Sequence, residues 1–189
     1  MRNLPVGNGR ASGIPGPVGG APDAGAPPAA AAVADPRRGP PPGWRPTPVQ
    51  AAFLDTVAAR ESGGRYNIRY SPSGGTLFQG YNQHPRVAEP GPHGPSTAAG
   101  RYQFTYDTWK RVAGENTPFT PVNQDYYALK LAEQRYGPNL WNDLERGGLT
   151  RDVLQKLAPT WAAFRDPNAY NRLADVYASS YAYYTGASR

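Results

Sequence analysis

The sequence has 189 residues, no cysteine, two histidines and a formal net charge of +6. That composition excludes disulfides, a cysteine nucleophile and a thiolate metal site, and His84 and His93 show no metal-ligand spacing, so neither a metal nor a cofactor is expected. The basic balance suits a polyanion such as nucleic acid, an anionic membrane or an anionic cell-wall polymer; no apolar run is long enough to cross a membrane, and no secretory signal is visible.

In chain order, the first 48 residues contain 30 that are Pro, Gly or Ala, with Trp44 the main large apolar side chain. Such a segment cannot bury enough surface to offset its ordering entropy. Residues 1–47 are therefore expected to form an extended arm, either a dispensable tail or a tether to a partner with Trp44, Arg37, Arg38 and Arg45 as anchors. Its excess positive charge matches that of the remaining chain, which argues against a dedicated nucleic-acid face. Order is expected to begin at residue 48. Thr47, Pro48 and Gln50 form a capping-box pattern for a helix running to about Arg60 or Glu61, and Gly63 and Gly64 stop it.

Tyr66, Ile68 and Tyr70 alternate with polar residues, and after a turn at Ser71–Gly75 comes Thr76–Gln79. That pattern predicts a β-hairpin. Residues 84–95, rich in Pro and Gly, read as a loop. A helix is predicted over 106–112, another from Thr120-Pro121 to a stop at Gly137, and a third capped by Thr150 through Leu157. The last helix is predicted to start at Asp166-Pro167, with Tyr170, Leu173, Tyr177, Tyr181 and Tyr184 along one face, a stripe read as core rather than as a sugar platform. Residues 48–189 thus suggest one mainly helical α+β domain with a small hairpin, large enough for a single core.

Chemistry concentrates in two stretches. Val49, Phe53 and Val57 recur every four residues, and Glu61 continues that line at the C-terminal end of the first helix. Desolvation by the apolar face and the negative helix end both disfavour ionisation, so the Glu61 pKa is expected to be raised, as a proton donor to a glycosidic oxygen requires. A solvated glutamate at a frayed helix end is the alternative reading of the same pattern. The second stretch is Ser96 to Phe104. Its small residues let backbone approach a ligand or simply start a helix tightly, Gln103 offers an amide to a sugar, and Tyr102 offers a face for stacking or packing. Asp55 falls off the Glu61 face and Glu89 lies in the loop, so no second acid accompanies Glu61 as a two-carboxylate glycosidase would need.

Taken together, Phe53-Leu54-Asp55, Glu61, Gly74 to Phe78, His84-Pro85-Arg86, Ser96 to Gln103, Phe119-Thr120-Pro121, Gln124-Asp125, Trp161 and the turn from Pro167 to Tyr170 fall in a recognisable order. The chain resembles the lambda-type phage endolysins, which are lytic transglycosylases of the lysozyme-like superfamily. The resemblance covers roughly residues 50–171 and omits the arm. The connection from Glu61 to the hairpin is shorter than the family's, and the loop after Arg86 has extra prolines. The resemblance implies a lysozyme-like fold and cleavage of the β-1,4 bond between N-acetylmuramic acid and N-acetylglucosamine. It implies Glu61 as the single acid and base, closing a 1,6-anhydro ring. Beside it, Gln103 is expected to contact substrate through its amide, Tyr102 to stack on sugar or to pack, Ser62 to hydrogen-bond Glu61 or a substrate acetamido group, and Tyr170 to position the muramic acid, with His84 and Arg86 as structural supports. The expected partner is bacterial peptidoglycan, with phage virion proteins a second candidate through the arm, and neither nucleic acid nor membrane. The expected location is a phage virion or the host cytoplasm before lysis, with action in the periplasm. A hydrolytic muramidase and a virion adaptor that only binds wall are the alternatives.

Overall fold

Thr47 caps the first helix from both sides. Its hydroxyl accepts from the Gln50 amide N–H at 3.4 Å, and the Gln50 side chain accepts from the Thr47 N–H at 3.0 Å. Helix α1 then runs Pro48–Glu61 and stops where Gly63 and Gly64 take positive φ, at 62° and 85°. A computed structural model of the protein describes residues 39–187, and the greater part of the expected arm lies outside them.

Strand β1 (Ile68–Arg69) pairs antiparallel with β2 (Thr76–Leu77), Ile68 opposite Leu77, so the predicted hairpin forms but is only two residues deep on each side. The small-residue stretch lies along its other edge. Gly100 N–H donates to the Ile68 carbonyl at 2.7 Å, and Tyr70 N–H donates to the Ala98 carbonyl at 2.8 Å. A Cβ on Gly100 would stand 2.3 Å from Gln124 Oε1 and 2.7 Å from the Phe119 ring. The close approach that the small residues permit is therefore made to the protein's own interior.

Four helices follow, and three of them open on a threonine whose hydroxyl caps the first turn: α2 (Tyr106–Val112, capped by Thr105), α3 (Pro121–Tyr136, capped by Thr120) and α5 (Arg151–Leu157, capped by Thr150). Helix α4 (Leu140–Gly147) was not expected from the sequence. Asn139 makes no side-chain cap, and only Leu140 and Leu144 are buried on it. Two 3-10 turns, Ala162–Arg165 and Pro167–Ala169, precede α6 (Tyr170–Thr185). Asp166 caps the second turn rather than the α-helix, which starts later than the sequence pattern suggests.

The core is aromatic. Trp109 meets Phe119 edge-on at 4.7 Å and Tyr127 at 5.4 Å, while Phe53 of α1 packs between Trp141 and Trp161. Helix α6 lies against α1, the most extensive helix pair, burying Leu173 and Tyr177. The stripe of α6 is core only in part, because Tyr184 is exposed and its hydroxyl donates to Asp55. Trp44 departs from its expected role as a partner anchor. Its ring stands 5.3 Å from Tyr126, edge to face, and Gly39 N–H donates to the Tyr127 hydroxyl. An indole beside an aromatic core gains burial at home, so the residues from Gly39 onward sit on the domain.

Candidate active site

Glu61 is the last residue of α1, at the end of a face whose Val49, Phe53 and Val57 are buried. Its Oε1 accepts a hydrogen bond from the Ala163 backbone N–H at 3.1 Å, which ties the helix end to the 3-10 turn 102 residues later. Burial raises its pKa above 4.5; the Ala163 bond and the charges of Arg60 and Arg165 pull the other way without cancelling the rise. The result is a partly desolvated carboxyl that holds its proton more firmly than a free glutamate.

Ser62 was a candidate sugar contact, but its hydroxyl is committed elsewhere. It donates to the Arg101 carbonyl at 2.8 Å and accepts from Gly64 N–H at 3.2 Å, and the residue is buried. Ser62 therefore ties the residue after Glu61 to the 96–104 stretch and has no free donor for an acetamido group.

Tyr102 requires the same correction. The residue is 1% exposed, so its ring offers no face for a sugar to stack on. Its hydroxyl donates to Asp125 at 2.6 Å and accepts from Arg101 at 2.9 Å. Around it lies a network that the sequence did not reveal. Arg101 donates to Asp55 at 2.6 Å and to the Tyr66 hydroxyl at 3.1 Å, and Tyr66 in turn donates to Asp125. Burial and the neighbouring Asp125 push the Tyr66 pKa up to about 12, so the phenol stays a donor. Burial raises the Asp125 pKa despite these donors. Asp55 is held at its other oxygen by Tyr184. Asp55 and Asp125 are thus both engaged by cationic or hydroxyl donors, and Glu89 pairs with Arg69. No spacing rule links Arg101 to Asp55 or Tyr66; only the fold brings them together.

Gln103 adopts a left-handed backbone, φ 50°, and its Nε2 donates to the Gly100 carbonyl at 2.9 Å, leaving its amide oxygen available. It lines a cleft of about 360 Å³ together with Thr105, Arg111, Gln134, Arg135 and Trp161. Glu61 does not line that cleft. It is tied to residues next to the lining: Ser62 bonds Arg101, which precedes the lining residue Tyr102, and Glu61 bonds Ala163, two residues past the lining residue Trp161. Tyr170 stands apart from Gln103, beneath the Arg151 guanidinium at 4.3 Å from its ring centre, in a smaller pocket that also takes in Phe164 and Arg165. His84 is buried. Its Nδ1 accepts from the Arg86 N–H, so Nε2 carries the hydrogen donated to the Phe104 carbonyl at 2.8 Å.

Among the described residues no group of three or more His, Asp or Glu side chains is placed to hold a metal ion, and no helix is long and apolar enough to cross a membrane.

A family model described as Endolysin matches residues 51–188, well over half of the chain. Among solved structures, a bacteriophage lambda lysozyme complexed with a chitohexasaccharide is similar over 72% of this chain and 96% of its own, at 25% identity and a TM-score of 0.57. A second structure of lysozyme from bacteriophage lambda is similar over 77% of this chain and 97% of its own, at 25% identity and a TM-score of 0.53. A curated protein named xylulose kinase, from Actinoplanes sp. (strain ATCC 31351 / 3876), is 32% identical over 100 residues. That match covers 44% of this chain and 61% of the curated protein, and its name transfers no activity here. The mainly helical fold with one small antiparallel sheet is that of the lambda lysozymes.

Proposed function

The chain belongs to the Endolysin family, and from that premise we propose that it degrades bacterial peptidoglycan as a lytic transglycosylase with Glu61 as its only acid and base. The observation that carries this reading is the environment of Glu61. A carboxyl with a raised pKa is bonded two residues past the cleft-lining Trp161, while Asp55 and Asp125 are occupied by Arg101 and tyrosine hydroxyls. In the proposed reaction the Glu61 carboxyl gives its proton to the glycosidic oxygen as the bond from the muramic C1 breaks. The carboxylate then takes the proton of the muramic C6 hydroxyl, whose oxygen closes on C1 and restores the acid. The Ala163 N–H, which donates to Oε1, supports the carboxylate between the two steps.

Gln103 is the side chain of the cleft best suited to a sugar amide or hydroxyl, since its carbonyl oxygen is not used internally. The likeness to a lambda lysozyme complexed with a chitohexasaccharide supports a glycan chain as the ligand of this cleft. Delivery to the wall, by lysis or on a particle, belongs to the same proposal, with the arm as the tether in the second case.

Mass spectrometry of fragments released from purified peptidoglycan tests the reaction. The proposal expects 1,6-anhydro-muramic ends. Reducing muramic ends would assign a water-using muramidase, and wall binding without release would leave a wall-binding adaptor.

A further inference from the structure

The turn that bonds Glu61 through Ala163 also borders a pocket of about 200 Å³, lined by the polar Arg151, Gln155, Arg165 and Asp166 and by Phe164 and Tyr170. That volume is below the usual range for a ligand site, about 300–1,000 Å³, so it suits a branch of a substrate better than a pair of sugar rings. Both arginines are held in ways that leave their outer N–H groups free. The Arg151 guanidinium carbon stands 4.3 Å from the centre of the Tyr170 ring, and Arg151 makes no hydrogen bond or ion pair among the described residues. Arg165 is fixed through Nε, which donates to the Ala158 carbonyl at 3.0 Å. The one carboxylate of the pocket is already engaged: Asp166 accepts from the Asn168 N–H and pairs with Arg60 at 3.5 Å. Two guanidinium groups that line one small cavity and keep N–H donors uncommitted among the described residues fit a carboxylate.

The position of the pocket gives the source of that carboxylate. One 3-10 turn, Ala162–Arg165, supplies both the Ala163 N–H that holds Glu61 and the Phe164 and Arg165 side chains that line the pocket. Trp161, just before this turn, lines the larger cleft. A glycan lying in the larger cleft with its cleavable bond at Glu61 would therefore have the substituent of the reacting sugar next to Arg165. In peptidoglycan that substituent is a peptide bearing carboxylates. A nucleic acid fits less well, because Asp166 and Glu61 interrupt the positive surface.

We propose that the Arg151–Arg165 pocket binds a carboxylate of the peptide stem on the muramic acid, so that the protein selects peptide-bearing glycan over neutral chitin-type chains. The proposal rests on the peptidoglycan-cleaving reading above. Within it, Tyr170 is a positioning residue: it orders Arg151 and does not touch the sugar.

Arg151→Gln in the full chain carries the test, since Arg165 also acts on the charge of Glu61. Cleavage would be followed on three soluble substrates: uncrosslinked peptide-bearing strands, the same strands stripped of peptide by an amidase, and chitohexaose. The expected result is a KM raised roughly tenfold on peptide-bearing strands, the size of one lost charge-assisted hydrogen bond. kcat on those strands should hold, and neither parameter should move on the other two substrates. Arg151→Lys, which keeps the charge and loses the fork, should fall between. An unchanged KM on peptide-bearing strands overturns the proposal, as does an equal loss on chitohexaose, which would mark a structural defect. An equal loss on stripped strands, which carry a free lactyl carboxylate, also overturns it by assigning the pocket to that group. Wild-type protein that cleaves none of the three would instead overturn the peptidoglycan-cleaving reading itself, a result distinct from a silent Arg151 variant of an active enzyme.

Discussion

Replacing Glu61 by glutamine removes the acid but keeps an oxygen that can accept from the Ala163 amide. Fragment release from wall should fall by about 10²–10⁴-fold, the usual contribution of a positioned acid–base group, while circular dichroism stays that of the wild type. Stability gives a second readout. The folded pKa of Glu61 lies above 4.5 because of burial, so the folded state binds more protons than the unfolded chain as pH rises past that value. Wild-type stability should therefore decline from the unfolded pKa upward until the folded group has ionised. The Gln variant lacks this decline, and denaturant curves at pH 4 and pH 7, roughly either side of the ordinary carboxyl pKa, should show it gaining on wild type at the higher pH. Tyr102→Phe should behave in the opposite way. It takes a donor from the Asp125 carboxylate and an acceptor from Arg101, which should cost about 1.5–3 kcal/mol, the range for bonds to charged groups. Wall cleavage per folded molecule should remain near wild type if the ring touches no sugar. Glu61 was legible because one helical stripe announces it. Ser62 and Tyr102 were not, because their partners lie 39 and 23 residues away and no local pattern encodes them.

Caps made the helices readable. Thr47, Thr105, Thr120 and Thr150 each accept from the backbone N–H three residues on, and each opens the helix that follows. Helix α4 lacks that mark, and its two buried leucines are too few to set a period. The hairpin was readable as alternation around a turn, but not its third partner, since the pairing of the 96–104 stretch with β1 is a tertiary event. Thr47→Ala should lower stability by about 1 kcal/mol through the lost cap, measured by urea unfolding. His84 links the loop after the hairpin to Phe104, and burial lowers its pKa below 6.5. The unfolded chain therefore takes up this proton first as pH falls. Stability should drop as pH moves down from the unfolded value through the folded one, because the protonated ring can no longer accept from the Arg86 N–H. His84→Gln should flatten that acid limb in pH-dependent thermal unfolding.

For the whole molecule, two truncations separate tail from domain. A chain starting at Gly39 should keep both wall cleavage and thermal stability. One starting at Pro48 loses the Trp44–Tyr126 contact and the Gly39 bond to Tyr127, and should lose about 0.5–1.5 kcal/mol for the aromatic pair beyond its buried area. Scanning calorimetry distinguishes the two. The pairing of α1 with α6 has a temporal consequence. Helix α1 ends in Glu61, and its packing partner spans Tyr170–Thr185, with Tyr184 bonded to Asp55 across 129 residues. During synthesis α1 leaves the ribosome long before α6 exists, so the glutamate cannot be seated until nearly the whole domain has been made. Ribosome-bound fragments that end before Tyr170 should therefore be inert towards wall, which leaves an unfinished chain harmless to the cell that is making it.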